Sequence, residues 1–162
     1  MAEKQRTLIV VADRETARFY RHAHPGATLE AHGGIERPSP GDRNADRPGR
    51  AFESANEGRH AMEPPSSYQE IERREMAAEL AGVAHQAIDD FEVDRLVLIA
   101  EPKLLGELRQ ALRKSAREKV VLEIDKHLTG IDDTELARRL SEAGRLGTVR
   151  EPSPRGPNLR AS

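Results

Sequence analysis

The chain has 162 residues, 36% hydrophobic and 33% charged, with a formal net charge of −2. That is enough for one domain with a real core, and with aromatics at only 3% the core must be built mostly from Leu, Ile, Val and Ala. The absence of cysteine excludes disulfides, thiolate zinc sites and cysteine nucleophiles. The small net charge excludes bulk attraction to nucleic acid or anionic membrane, so any such binding must come from a local patch.

The first apolar run, Leu8 to Ala12, is too short for a signal-peptide core. No run approaches the roughly 20 apolar residues of a membrane span. The expectation is a soluble, cytoplasmic protein that makes no membrane contact. Thr7–Ala12 is continuously apolar and rich in β-branched residues, which predicts a strand buried on both faces. Asp13-Arg14-Glu15 is turn-like, and Ala17–Arg21 alternates as a hairpin partner. Pro25-Gly26 makes a turn, and Thr28–Ala31 is a candidate third, edge strand.

From Arg37 to Ser67 the composition changes. Pro38, Pro40, Pro48, Pro64 and Pro65 interrupt helix, and Gly41, Gly49 and Gly58 add backbone freedom. This predicts a long loop at 37–67, and long loops inside compact domains are commonly functional or disordered. Ser66 or Ser67, with Glu70, has capping-box spacing for a helix over about Tyr68–Asp90. Met76, Leu80, Val83, Ala84, Ala87, Ile88 and Phe91 form its apolar face, and Glu70, Glu72, Arg73, Arg74, Glu75 and Glu79 its solvated one.

Arg95–Ala100 is a second buried strand. Pro102 suits the first turn of a helix carrying Leu104, Leu105, Leu108 and Leu112. Val120–Asp125 is the next strand. Asp132 or Asp133 caps a last helix with Leu136, Ala137 and Leu140 buried, ended by Gly144 and Gly147. After Thr148 the Pro- and Arg-rich tail has little to bury and is expected to be disordered. The alternation of strands and helices predicts a single α/β domain over 1–147, with a mixed sheet flanked by helices and the tail at 148–162.

Three sets of residues carry candidate chemistry. Asp13, Glu101 and Asp125 each end a predicted strand, at the edge where open α/β sheets bind ligands, and three converging carboxylates there would suit Mg²⁺ in a hydrolase or nuclease. The plainer reading is that acidic residues end strands and open turns. The histidines have no metal-ligand spacing. His22 and His24 read as a solvated strand end, and His85 and His127 as structural residues. Arg43, Arg47, Arg50 and Arg59, beside Gly49 and Gly58, form a set of planar donors on a pliant backbone that suits phosphates, with His60 as a further donor. The alternative is an Arg–Glu and Arg–Asp network that pins the loop to its own domain. No P-loop, dinucleotide fingerprint or nucleophile elbow occurs.

Certain segments go beyond pattern: V-V-A-D (Val10–Asp13), D-R-P-G-R-A-F-E-S (Asp46–Ser54), G-R-H-A-M-E-P (Gly58–Pro64), D-R-L-V-L-I-A-E-P (Asp94–Pro102) and E-I-D-K-H-L-T (Glu123–Thr129). In this order the chain resembles the bacterial host attachment protein family, described as required for attachment to host cells. That family is similar to the middle domain of archaeal and eukaryotic class 1 peptide-chain release factors. The resemblance implies a ribonuclease H-like fold, with a functional loop before the long helix. In release factors that loop carries Gly-Gly-Gln. Here it carries Gly49-Arg50 and Gly58-Arg59-His60, and the nearest glutamine is Gln69, so peptide-release chemistry does not carry over. The combined expectation is a non-enzymatic factor without cofactor. It would bind RNA or the ribosome through Arg47, Gly49, Arg50, Gly58, Arg59 and His60, with an attachment-related role through protein partners as the alternative.

Overall fold

The computed structural model describes residues 5–37 and 65–152, with the backbone alone at 65–67. Its elements are β1 (Thr7–Ala12), β2 (Thr16–His22), β3 (Glu30–Glu36), α1 (Pro65–Asp89), β4 (Arg95–Ala100), α2 (Pro102–Ala111), α3 (Lys114–Arg117), β5 (Val120–Ile124) and α4 (Asp133–Ala143). One mixed sheet has the order β3-β2-β1-β4-β5. β1, β2 and β3 form an antiparallel meander, while β4 lies parallel to β1 and β5 parallel to β4.

The apolar runs take the central places. Every residue of β1 is buried, as a strand covered on both faces requires. Asp13 stops it. Its Oδ1 accepts from the amides of Glu15 at 2.8 Å and Thr16 at 2.7 Å, and its own amide donates to the Thr16 carbonyl at 2.8 Å, which turns the chain back into β2. One face of the sheet presents Leu8, Val10, Leu96 and Leu98 to Met76, Leu80 and Ala84 of α1 and to Leu105 and Leu108 of α2. The other presents Ile9, Val11, Val97 and Ile99 to Leu136 and Leu140 of α4 and to Leu146. Burying each such leucine or isoleucine is worth about 1.5–3 kcal/mol before entropy is counted. α4 is fixed at both ends: Asp132 accepts from the Glu135 amide at 2.9 Å, and Gly144 closes the helix at φ 81°. The Tyr20 hydroxyl donates to Asp133 at 2.7 Å and ties β2 to the same helix start.

Several expectations are corrected. The third strand is Glu30–Glu36, not Thr28–Ala31, and Gly33 and Gly34 lie within it. A Cβ at Gly34 would stand 2.6 Å from the Ala17 carbonyl oxygen, so glycine is what lets β3 approach β2. α1 begins at Pro65, so neither Ser66 nor Ser67 is its cap. Glu72 and Arg73, read as solvated, are buried. His22 is only 1% exposed, not a solvated strand end. The chain also stays folded past Thr148: Val149 is buried, and Thr28 bridges to Arg150. Phe91, read as the last member of the buried stripe, is turned out to solvent at φ 58°.

Candidate functional site

The carboxyl edge of the parallel strands gathers the turn after β1, the end of β3 and the early turns of α1. Arg14 in the β1–β2 turn pairs with Glu72 of α1 at 2.8 Å. The Arg37 amide donates to the Glu15 carbonyl at 2.9 Å, and its guanidinium pairs with Glu75 at 3.7 Å and with Glu79. Arg37, the last described residue before α1, is therefore held at this edge, and Arg14 and Arg37 both pair with α1 well beyond its first turn. Glu72 and Arg73 are 5% and 6% exposed. Arg73 has no ion pair among the described residues, so a cation with a buried stem sits near the start of α1. Its position three residues before Met76 is the sequence signal that was overlooked, since that spacing shares a helix face.

Between these anchors and the strand ends lies a crevice of about 200 Å³, lined by Asp13, Arg14, Glu15, Glu101 and His127. Thr129 donates from Oγ1 to Asp13 Oδ2 at 2.8 Å. His127 Nε2 stands 3.1 Å from that hydroxyl and 3.5 Å from the carboxylate. Burial pushes the Asp13 carboxyl up, but the bonds from Thr16, Thr129 and Glu15 outweigh it and hold the group below the usual carboxylate range.

The three carboxylates do not converge. Asp13 and Glu101 share the crevice, whereas β5 ends at Ile124 and leaves Asp125 exposed, close enough to Arg109 to raise its pKa along with Glu123. Both oxygens of Asp13 are occupied by turn and loop donors. Among the described residues no group of three His, Cys, Asp or Glu side chains is placed to hold a metal. Of the residues expected to bind RNA or a partner, Arg47, Gly49, Arg50, Gly58, Arg59 and His60 all lie outside the described residues, as do Arg43 and the tail beyond residue 152. His85 is structural as expected: its Nε2 accepts from the Arg113 amide at 3.1 Å.

Fold and edge together define a small α/β protein with a five-stranded mixed sheet and a charged carboxyl edge. Residues 8–140 match the family described as "Protein required for attachment to host cells", and the chain belongs to that family. Among solved structures it is similar to one titled "Archaeal protein", at 12% identity and a TM-score of 0.49, covering 87% of this chain and 34% of that one. It is also similar to the archaeal translation termination factor aRF1, at 12% identity and a TM-score of 0.48, covering 86% of this chain and 34% of that one. The chain thus spans about a third of the length of these structures. No curated protein matches it. No helix among the described residues is long and apolar enough to cross a membrane.

Proposed function

We propose that this attachment-family protein is a non-enzymatic cytoplasmic factor that binds RNA or the ribosome through the segment Asp46–His60. Arg47, Arg50 and Arg59 would contact phosphates, Gly49 and Gly58 would allow close backbone approach, and His60 would add a donor. The observation that carries the reading is that Arg37, from which the connection departs, is held at the carboxyl edge by the Glu15 carbonyl and by Glu75 and Glu79 of α1, the helix into which the connection leads. Open α/β sheets bind ligands at this edge. A connection that departs from a held Arg37 would have its arginines within reach of a ligand at that edge. The ribonuclease H-like assignment belongs to the same reading, and the antiparallel meander running into parallel β4 and β5 supports it.

The test is RNA binding by the folded Arg50→Ala/Arg59→Ala protein across a salt series. Losing two phosphate contacts should weaken binding and reduce the slope of log K against log salt by about 2. Unchanged affinity and slope would remove the segment from the account.

A second reading, an attachment-related regulatory role through protein partners, is favoured by Tyr68 and Ile71. Both are about half exposed on the early turns of α1, beside the same edge. Salt-insensitive capture of one defined protein without RNA, abolished by Ile71→Asp, would favour it over the first.

A further inference from the structure

The stretch after α4 is folded back on the turn that follows β2. The Gly26 amide donates to the Thr148 carbonyl at 2.8 Å, the Arg150 amide to the Ala27 carbonyl at 3.0 Å, and the Leu29 amide to the Arg150 carbonyl at 2.9 Å. Gly147, at φ 73°, seats the segment closely: a Cβ there would stand 2.9 Å from Pro25 Cβ. The segment is also tied to α4, since Ser141 Oγ accepts from the Val149 amide at 2.8 Å and donates to the Val149 carbonyl at 3.1 Å. Leu146 and Val149 join the core on the α4 side of the sheet.

His22 lies against this junction. It is 1% exposed, and neither ring nitrogen has a hydrogen bond of good geometry among the described residues. The carbonyls nearest the ring are those of Thr148 and Ala27, the two that hold the segment to the turn. A neutral imidazole has a single N–H, so it can serve at most one of them fully. A protonated ring has two donors, but it puts a charge into a site closed to water.

The neighbouring charges oppose protonation. Strand pairing sets Thr7 opposite both His22 and Arg95, so the three stand in one row across β2, β1 and β4. Thr7 is uncharged, and Arg95 is a cation whose Nε and Nη2 are themselves buried without a partner among the described residues. Asp94, beside Arg95, is bonded by Arg6 at 2.9 Å. His24, just past His22 in the chain, also disfavours a charged ring. Residues 26–29 carry no charge, and the only one in 147–150 is on the exposed Arg150. Burial first, with these cations, outweighs the two carbonyls and holds the His22 ring below the ordinary histidine range.

We propose that His22 pins a pH-sensitive latch: with its ring neutral, residues 147–150 stay paired to 26–29, and protonation of the ring releases them. Release lets water reach the imidazolium, which the closed form does not allow. It withdraws Val149 from the core and frees the start of the terminal stretch that bears Arg155 and Arg160. Opening becomes easier as pH drops past the ordinary histidine value of about 6.5, because the open form binds the proton more tightly.

The test is native-state hydrogen exchange by NMR on the full chain, corrected for the intrinsic exchange rate at each pH. The amides of Gly26, Leu29, Val149 and Arg150 should exchange faster than those of β1 at every pH, as local opening requires. Their protection should fall several-fold between pH 7 and about 5.5, toward a limit of about tenfold. His22→Gln should remove this dependence, and His24→Gln should keep it. The double variant Ser141→Ala/Val149→Ser loosens the segment without touching His22. Its His22 ring, followed by NMR titration, should titrate closer to about 6.5 than the wild-type ring does. This arm decides the matter even if His22→Gln does not fold. Protection that is level from pH 7 to 5.5, exchange of the four amides only together with β1, or a His22 midpoint unmoved in the double variant would overturn the proposal.

Discussion

The guanidinium of Arg14 donates to the carboxylate of Glu72 at 2.8 Å and joins the first hairpin turn to the start of the long helix, across 58 residues of sequence. The carboxylate is almost fully buried and the guanidinium less than a third exposed. Removing Arg14 leaves a buried acid with less compensation, so Arg14→Ala should cost about 1–3 kcal/mol in urea unfolding. Glu72 makes a further interaction besides this one, so Glu72→Ala should cost more. The double variant should show a coupling of at least about 0.5 kcal/mol. Strict additivity would show that the pair does not hold the edge together.

Stability should fall as pH drops through the histidine range. Burial depresses the folded pKa of both His22 and His85, with a smaller lowering at His85 from the Arg113 charge. A group whose folded pKa lies below its unfolded value of about 6.5 lets the unfolded chain bind more protons in that window. The stabilisation is therefore complete above about pH 7 and declines as pH falls past the unfolded pKa toward the folded one. His85→Gln should flatten part of this dependence. A stability profile level between pH 7 and 5 would contradict it.

The second acid window belongs to Asp13. Its folded pKa is depressed, so its contribution is present above the unfolded value of about 3.9 and is lost as pH falls through the folded value. Thr129→Val removes the donor to Oδ2 and should cost about 1 kcal/mol while moving this acid limb to higher pH. An unmoved limb would mean that the amides of the turn alone set the group.

Phe91→Gly should stabilise the monomer by about 1 kcal/mol or more, because it relieves a left-handed backbone at a side chain that buries little. Urea unfolding measures the difference between the two forms. A destabilised monomer would show that the ring packs within its own chain.

The parts of the fold that were legible in the sequence are those set by dense local signals. β1 and β4 are unbroken apolar runs. α2 has Pro102 at its start and leucines on one face, and α4 has Asp132 before it and Gly144 after it. The rest depends on tertiary geometry. Gly33-Gly34 carries turn composition but sits in an edge strand, because only glycine fits against the Ala17 carbonyl. Phe91 keeps helical spacing with the buried stripe, yet the cap turns it outward. Glu72 and Arg73 look like surface charges until Arg14 and the sheet edge are brought over them. At the candidate site, the carboxylates of Asp13 and Glu101 were rightly placed at strand ends. The plainer reading, that acidic residues end strands and open turns, fits Asp13, whose oxygens are taken by donors of its own turn and of the loop at Thr129.

The proposed function is action on RNA or the ribosome through the connection that departs from Arg37 and leads into α1. The most direct measurement is co-sedimentation of the tagged chain with ribosomes in a lysate gradient at low and moderate salt. The account predicts migration with a ribosomal subunit, weakened by salt and lost in Arg50→Ala/Arg59→Ala. Migration only at the top of the gradient at both salt concentrations would contradict it.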